Sequence, residues 1–187
     1  MASIGHLATG ALIGAVYART TDTRPLPAMA AFAALAVAPD LDLLAIPFDM
    51  RDTPLGHRVM THALPFAALV SVAVALALGQ RPYRMLLGVL SFLAIASHGV
   101  LDAFTRHGQG PALWWPITEA RYAFWWQPIR GSESFEGYFT GQAIPTVLAE
   151  GIMFLPVVAL TAVILTRGGR PLAVGDTAEM AAVSESS

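Results

Sequence analysis

Five apolar stretches, almost free of charge, dominate this chain and restrict its fold more than any other feature. They run from about Ile4 to Tyr17, Ala28 to Phe48, Ala63 to Leu78, Met85 to Phe104 and Ala143 to Leu165. A membrane-spanning helix needs roughly 20 predominantly apolar residues. The second, fourth and fifth stretches meet that length, and the first and third are short. A spanning segment must satisfy its backbone internally, which leaves only helices or closed barrels. Runs such as Ala63-Leu64-Pro65-Phe66-Ala67-Ala68 lack the alternation of a barrel strand. The expected fold is therefore all-α: a polytopic transmembrane bundle of about five spans, with one domain over residues 1–166. A polar tail from 167 to 187 is expected to be disordered.

Composition agrees. Charged residues make up 13% of the chain and hydrophobic residues 55%, against about 25% charged in ordinary soluble domains. A surface so poor in charge is expected to face lipid. Met1 to Gly5 carries no basic residue, so the first stretch reads as a retained membrane segment and not as a signal peptide. The chain has no cysteine, which excludes disulfides and thiolate metal sites. The net charge of -2 gives no case for nucleic acid as an electrostatic partner.

Gly10, Gly14 and Ala18 form a small-residue stripe suited to close helix approach. Among the connections, 106–142 is long and aromatic, with Trp114, Trp115, Tyr122, Phe124, Trp125 and Trp126. It reads as an interfacial belt or as a lid over one end of the bundle. Arg121 and Arg130 in it could meet lipid phosphates or cap helix ends. Arginine counts in the short loops favour an N-out, C-in orientation by the positive-inside rule.

Chemistry-bearing residues occur in four short strings: Gly5-His6, Pro39-Asp40-Leu41-Asp42, His57-Arg58-Val59-Met60-Thr61-His62, and Ser97-His98-Gly99-Val100-Leu101-Asp102. The first and third open a stretch, and the second and fourth close one. Alternating helix direction therefore puts all four on one membrane face, whichever way the protein is inserted. His98 and Asp102 are spaced i, i+4 and share a helix face. Pro39 disfavours regular helix just before it, so Asp40 and Asp42 are expected on a loosened turn. His57 and His62 can line one cavity only if His57 precedes its helix. Imidazole and carboxylate together suit zinc or another divalent first-row ion, and acids at membrane depth need such a partner. Taken singly the strings have plainer readings: an interfacial His6, a hydrogen-bonded His98–Asp102 pair, and an interfacial Arg58. His107, in the long loop, is given no role.

Together the strings, with the later Leu113-Trp114-Trp115-Pro116 and Arg121-Tyr122, resemble the bacterial inner-membrane family described as membrane-bound, LexA-regulated, metal-dependent hydrolases. The resemblance covers about residues 1–130. It implies a more distant similarity to the zinc-dependent phospholipase C and single-strand nuclease superfamily. It also implies His6, Asp40, His57, His62, His98 and Asp102 as metal ligands, with Asp42 a ligand or an outer partner; in a hydrolase, Asp40 or Asp42 could serve as general base. Arg58 would stabilise charge on a phosphoester. The soluble relatives use more histidines than this chain holds, so one or two ions fit better than three. The expected function is hydrolysis of a phosphoester such as a phospholipid head group, in the inner membrane, with the site on the outer face. The rival expectation is a metal-binding or ion-handling membrane protein without catalysis. Neither substrate nor oligomeric state can be read from these residues.

Overall fold

The computed structural model describes residues 3–48, 53–106, 109–130 and 144–167. Arg51, His107, Arg170 and the tail beyond 167 lie outside the described residues, as does the part of the long loop from 131 to 143. Among the described residues, five α-helices carry the fold: α1 (Ser3–Thr21), α2 (Pro25–Val37), α3 (Leu64–Leu78), α4 (Arg84–Ala103) and α5 (Ile144–Thr166). Apart from them, residues Thr105–Arg106 and Ile129–Arg130 pair in parallel as a two-residue ladder. It closes the base of the long loop.

α1 extends four residues beyond its expected end. Thr20 and Thr21 turn their hydroxyls back onto the carbonyls of Val16 and Tyr17, both at 2.9 Å, and so remain compatible with helix. Asp22 then adopts φ 54°, a left-handed conformation that Asp tolerates better than most residues, and the chain reverses into α2. The α1–α2 hairpin is tight because of the small-residue stripe. A Cβ on Gly10 would come within 2.5 Å of the Phe32 carbonyl oxygen, and one on Gly14 within 2.5 Å of the Met29 Cα. Ala18 completes the stripe and is buried.

The second apolar stretch is not one regular helix. α2 stops at Val37, and a 3-10 helix continues from Ala38 to Phe48. Runs of 3-10 helix longer than three or four residues are uncommon. Proline at 39 offers no backbone N–H and marks the change. The loosened turn expected at Asp40 and Asp42 is this segment. A second short 3-10 turn, Met60–His62, leads into α3, so His57 does precede its helix.

Three segments are long and apolar enough to cross a membrane: Pro25–Leu44, Arg84–Ala103 and Ile144–Thr166. α3 has 15 residues, about 22 Å at 1.5 Å per residue, less than the ~30 Å hydrocarbon core. α1 has the length but begins on a polar cluster. Among the described residues the expected bundle of about five helical segments is thus present, three of them of full spanning length and the two expected short ones, α1 and α3, packed against them.

α4 is the central element, touching α1, α2 and α3. Leu87, Leu90 and Ala94 of α4 pack on Phe32 and Ala36 of α2. Ile95 and Ala96 pack on Ala67 of α3. α5 lies along α1, where Phe154 meets Ala8. The outward faces of α3, α4 and α5 expose Leu69, Val72, Leu76, Met85, Val89, Ile152 and Leu155, which forms the lipid-facing surface.

Candidate metal centre

The four strings meet. His6 at the start of α1, Asp40 and Asp42 on the 3-10 segment, His57 to His62 before α3, and His98 with Asp102 at the end of α4 form one contiguous cluster. Within it, three overlapping groups have the spacing to hold a metal ion: His6–His98–Asp102, Asp40–His62–His98 and Asp42–His57–His62. The i, i+4 pair His98 and Asp102 therefore falls in one group, with His6 added from α1.

Asp42 is the hub of the outer part. Its Oδ1 accepts from His57 Nδ1 at 2.8 Å. Its Oδ2 accepts the Arg58 backbone N–H at 3.1 Å and the Thr61 hydroxyl at 2.7 Å, and lies 3.2 Å from His62 Nδ1. These bonds fix both imidazoles with their Nδ1 turned outward. His98 is held in the same sense, since its Nδ1 lies 2.7 Å from the Ala36 carbonyl and donates to it. An N–H given to a carboxylate or carbonyl leaves Nε2 as the free lone pair, the usual arrangement behind a metal ligand.

Those Nε2 atoms face inward. The Nε2 of His6, of His62 and of His98, together with Asp102 Oδ1, are buried and have no hydrogen-bond partner. Their separations are informative. His98 Nε2 lies 3.3 Å and His62 Nε2 3.7 Å from Asp40 Oδ1. His6 Nε2 lies 3.6 Å from Asp102 Oδ1, and His62 Nε2 3.5 Å from Asp102 Oδ2. Two donors bound tetrahedrally to zinc at ~2.1 Å stand about 3.4 Å apart. The inward atoms are too distant for good hydrogen bonds, and within each group of three they are spaced as ligands of one ion are. Buried polar atoms without partners are rare in native proteins. The donor set, imidazole nitrogen and carboxylate oxygen only, fits a divalent first-row ion.

The rings themselves are close-packed. His6 stacks on His98 at 3.8 Å between centroids, and His62 meets His98 edge-on at 4.6 Å. Burial pulls the His62 imidazole down, but the adjacent carboxylates of Asp102, Asp40 and Asp42 outweigh it and raise it to about 10. With no cation bound, the three carboxylates thus favour a proton on His62 Nε2, the atom whose lone pair a metal would use. A cation entering there must displace that proton. Divalent-metal affinity is therefore expected to fall about tenfold for each pH unit lowered across neutrality, measured by competition titration against a chelator.

Arg58 closes one side. Its Nε lies 2.9 Å from Asp102 Oδ2, and its backbone holds φ 65°, a conformation uncommon outside glycine and often found at functional sites. The long loop secures that backbone. The Arg58 carbonyl accepts from the Ala112 N–H and from Arg121, both at 2.9 Å, and Arg121 also reaches the Gly110 carbonyl at 3.3 Å. Arg121 thus ties loop carbonyls together. Leu113 is buried, and its carbonyl accepts the Leu64 N–H at 2.8 Å. Trp114 and Trp126 are exposed, and Trp125 is 96% exposed. Beside the loop, a pocket of about 250 Å³ is lined by Thr53, Val59, Ala112, Trp115, Glu119 and Arg121.

Glycines admit the close approaches. Gly99, between His98 and Asp102, lies directly against the His62 carbonyl. Gly5 faces the Phe154 ring of α5, with room for no side chain. Sequence reasoning missed one residue. Glu150, in the middle of α5's apolar run, is buried, and its Oε2 accepts the Ile4 N–H at 3.2 Å. An acid in a lipid-exposed helix was the available signal.

No solved structure matches the chain. It is 35% identical over 100 residues to inner membrane protein YbcI of Escherichia coli strain K12, an alignment that covers 51% of this chain and 57% of the relative. The chain thus spans little more than half the length of that curated relative. A family model described as YdjM inner membrane protein matches residues 1–170. With nearly the whole helical bundle and every residue of the cluster inside the match, the chain belongs to the YdjM inner membrane protein family of the bacterial inner membrane.

Proposed function

We propose that this protein is a metal-dependent hydrolase acting on phosphoesters at the membrane, with phospholipid head groups as the substrate class. The observation that carries the reading is the set of buried, unpartnered Nε2 atoms of His6, His62 and His98 around Asp40 and Asp102 at ligand spacing. These five residues would hold the ion, zinc first among candidates, and His57 would serve a second position at the more exposed edge. A bound divalent ion supplies Lewis acidity toward a phosphoryl oxygen and lowers the pKa of water.

The residues of the chain do the rest. Asp42 already accepts from three donors and lies 3.2 Å from His62 Nδ1, so we assign it the orientation of His57 and His62 in preference to the role of base. Asp40, 16% exposed at its side chain, is the carboxylate placed to take a proton from an attacking water. Arg58 holds Asp102 and brings positive charge to the edge of the cluster, where negative charge grows on a phosphoester. The neighbouring pocket of about 250 Å³ supports a head-group site, and the exposed tryptophans suit contact with acyl chains at the interface. With arginines at 19, 24, 81, 84 and 167 on the opposite face, we orient the chain N-out and C-in, which puts the cluster on the outer face.

The test is elemental analysis of the detergent-purified protein beside His98→Ala, followed by assay against generic phosphodiesters and phospholipids. Wild type is expected to carry near-stoichiometric zinc and to hydrolyse one of these classes, and His98→Ala is expected to lose both. Metal-free wild type, or full activity in the variant, rejects the proposal. A non-catalytic metal-holding role is favoured by one observation: His6 and His98 are 0% exposed and His62 is 2% exposed. Bound metal without turnover on any phosphoester would decide for it.

A further inference from the structure

We propose that Glu150 is the positioning residue for His6, acting through the first turn of α1; the inference rests on the metal-site reading above. The other cluster histidines are each oriented through a ring nitrogen: His57 and His62 by Asp42, His98 by the Ala36 carbonyl. His6 is different. Neither of its ring nitrogens has a hydrogen-bond partner. Its direction is set by its stack on His98 and by where its backbone is held.

α5 holds that backbone. Most of this helix turns apolar side chains outward, with Leu148 61% and Ile152 69% exposed, whereas Glu150 is 2% exposed. The first N–H groups of any helix lack partners within it, and a carboxylate there is favoured by the helix dipole. Glu150 fills this place on α1 from the far end of the sequence. Its Oε2 takes the Ile4 N–H at 3.2 Å. One turn along α5, Phe154 sits where any Gly5 side chain would be, within 2.5 Å of an added Cβ. Glu150 and Phe154 therefore grip Ile4 and Gly5 from one helix face. His6 is the next residue, and its Nε2 is delivered to 3.6 Å from Asp102.

A purely structural tie between α5 and α1 would give the same contacts, so the test separates the two roles. Zinc affinity is measured on the full chain in detergent for wild type, Glu150→Ala, Glu150→Gln, His6→Ala and the Glu150→Ala/His6→Ala double variant. Loss of an outer partner weakens metal binding by about 10–100-fold, and a loss of that size is expected for Glu150→Ala. Glu150→Gln keeps an oxygen that accepts the Ile4 N–H and is expected to stay near wild type. The double variant is expected to bind no more weakly than His6→Ala, because residues acting through one another are non-additive. Additive losses, or wild-type affinity in Glu150→Ala, would overturn the proposal.

Should wild type bind no metal, the metal-site reading fails, and amide exchange on the metal-free protein decides the anchoring alone. Exchange at Ile4 to His6 is expected to accelerate in Glu150→Ala and to be normal in Glu150→Gln. Unchanged exchange rejects the anchor. If Glu150→Ala does not fold, Glu150→Leu takes its place. Failure of both to fold would mark Glu150 as a general structural residue and reject the positioning role.

Discussion

Asp102→Ala is expected to be the most damaging single change in the protein. The Asp102 carboxylate faces three partners: His6 at 3.6 Å, His62 at 3.5 Å and the Arg58 guanidinium at 2.9 Å. Its removal takes a counter-charge 2.9 Å away from Arg58, which is 11% exposed at its side chain. Breaking a buried pair from one side costs about 3–5 kcal/mol. It also takes one of two carboxylates from the inward donor set. Thermal unfolding in detergent is expected to shift down by many degrees, and elemental analysis to find metal at background. Asp102→Asn keeps the shape and should recover part of the stability but not the metal. Metal retained in both variants would remove Asp102 from the ligand set.

Gly99→Ala is expected to have the second largest effect, through a single methyl group. Gly99 lies between the two α4 ligands, and an added Cβ would strike the His62 carbonyl, with Leu113 Cδ2 3.0 Å away on the other side. The obstacle is backbone and cannot rotate aside, so α4 or the Met60–His62 turn must move. Overpacking of this kind costs about 1–3 kcal/mol. The larger consequence is geometric. His62 and His98 share Asp40 within 3.3–3.7 Å, and a shift of half an ångström spoils that spacing. Zinc affinity is expected to fall by at least tenfold while the protein stays helical by circular dichroism. Wild-type affinity would show that the turn yields without moving His62.

The helices and the shared face of the cluster were readable in the residues because both follow from simple periodic constraints. Apolar runs mark helices, and alternating direction sorts their ends. Pro39 signalled the departure from regular helix, although not an 11-residue 3-10 segment. The hub role of Asp42 was not readable. It depends on how the 53–62 turn folds back, which brings His57, Arg58, Thr61 and His62 onto one carboxylate. The partner of Glu150 lies 146 residues away, beyond any local pattern. Arg121, which by sequence could meet lipid phosphates or cap a helix end, instead binds the loop carbonyls of Arg58 and Gly110.

The division of the cluster between two hairpins bears on how the chain assembles. Asp40 and Asp42 arrive with the first hairpin, but the side chains that compensate them, His57, His62 and His98, arrive with the second. During synthesis the first pair of helices brings two acids to the membrane before any counterpart exists. Acids at that depth are costly without partners. Pairing is complete only when His98 of α4 reaches Asp40, so a chain truncated within α4 keeps His57 and His62 beside Asp42 but is expected to leave Asp40 with one imidazole in place of two.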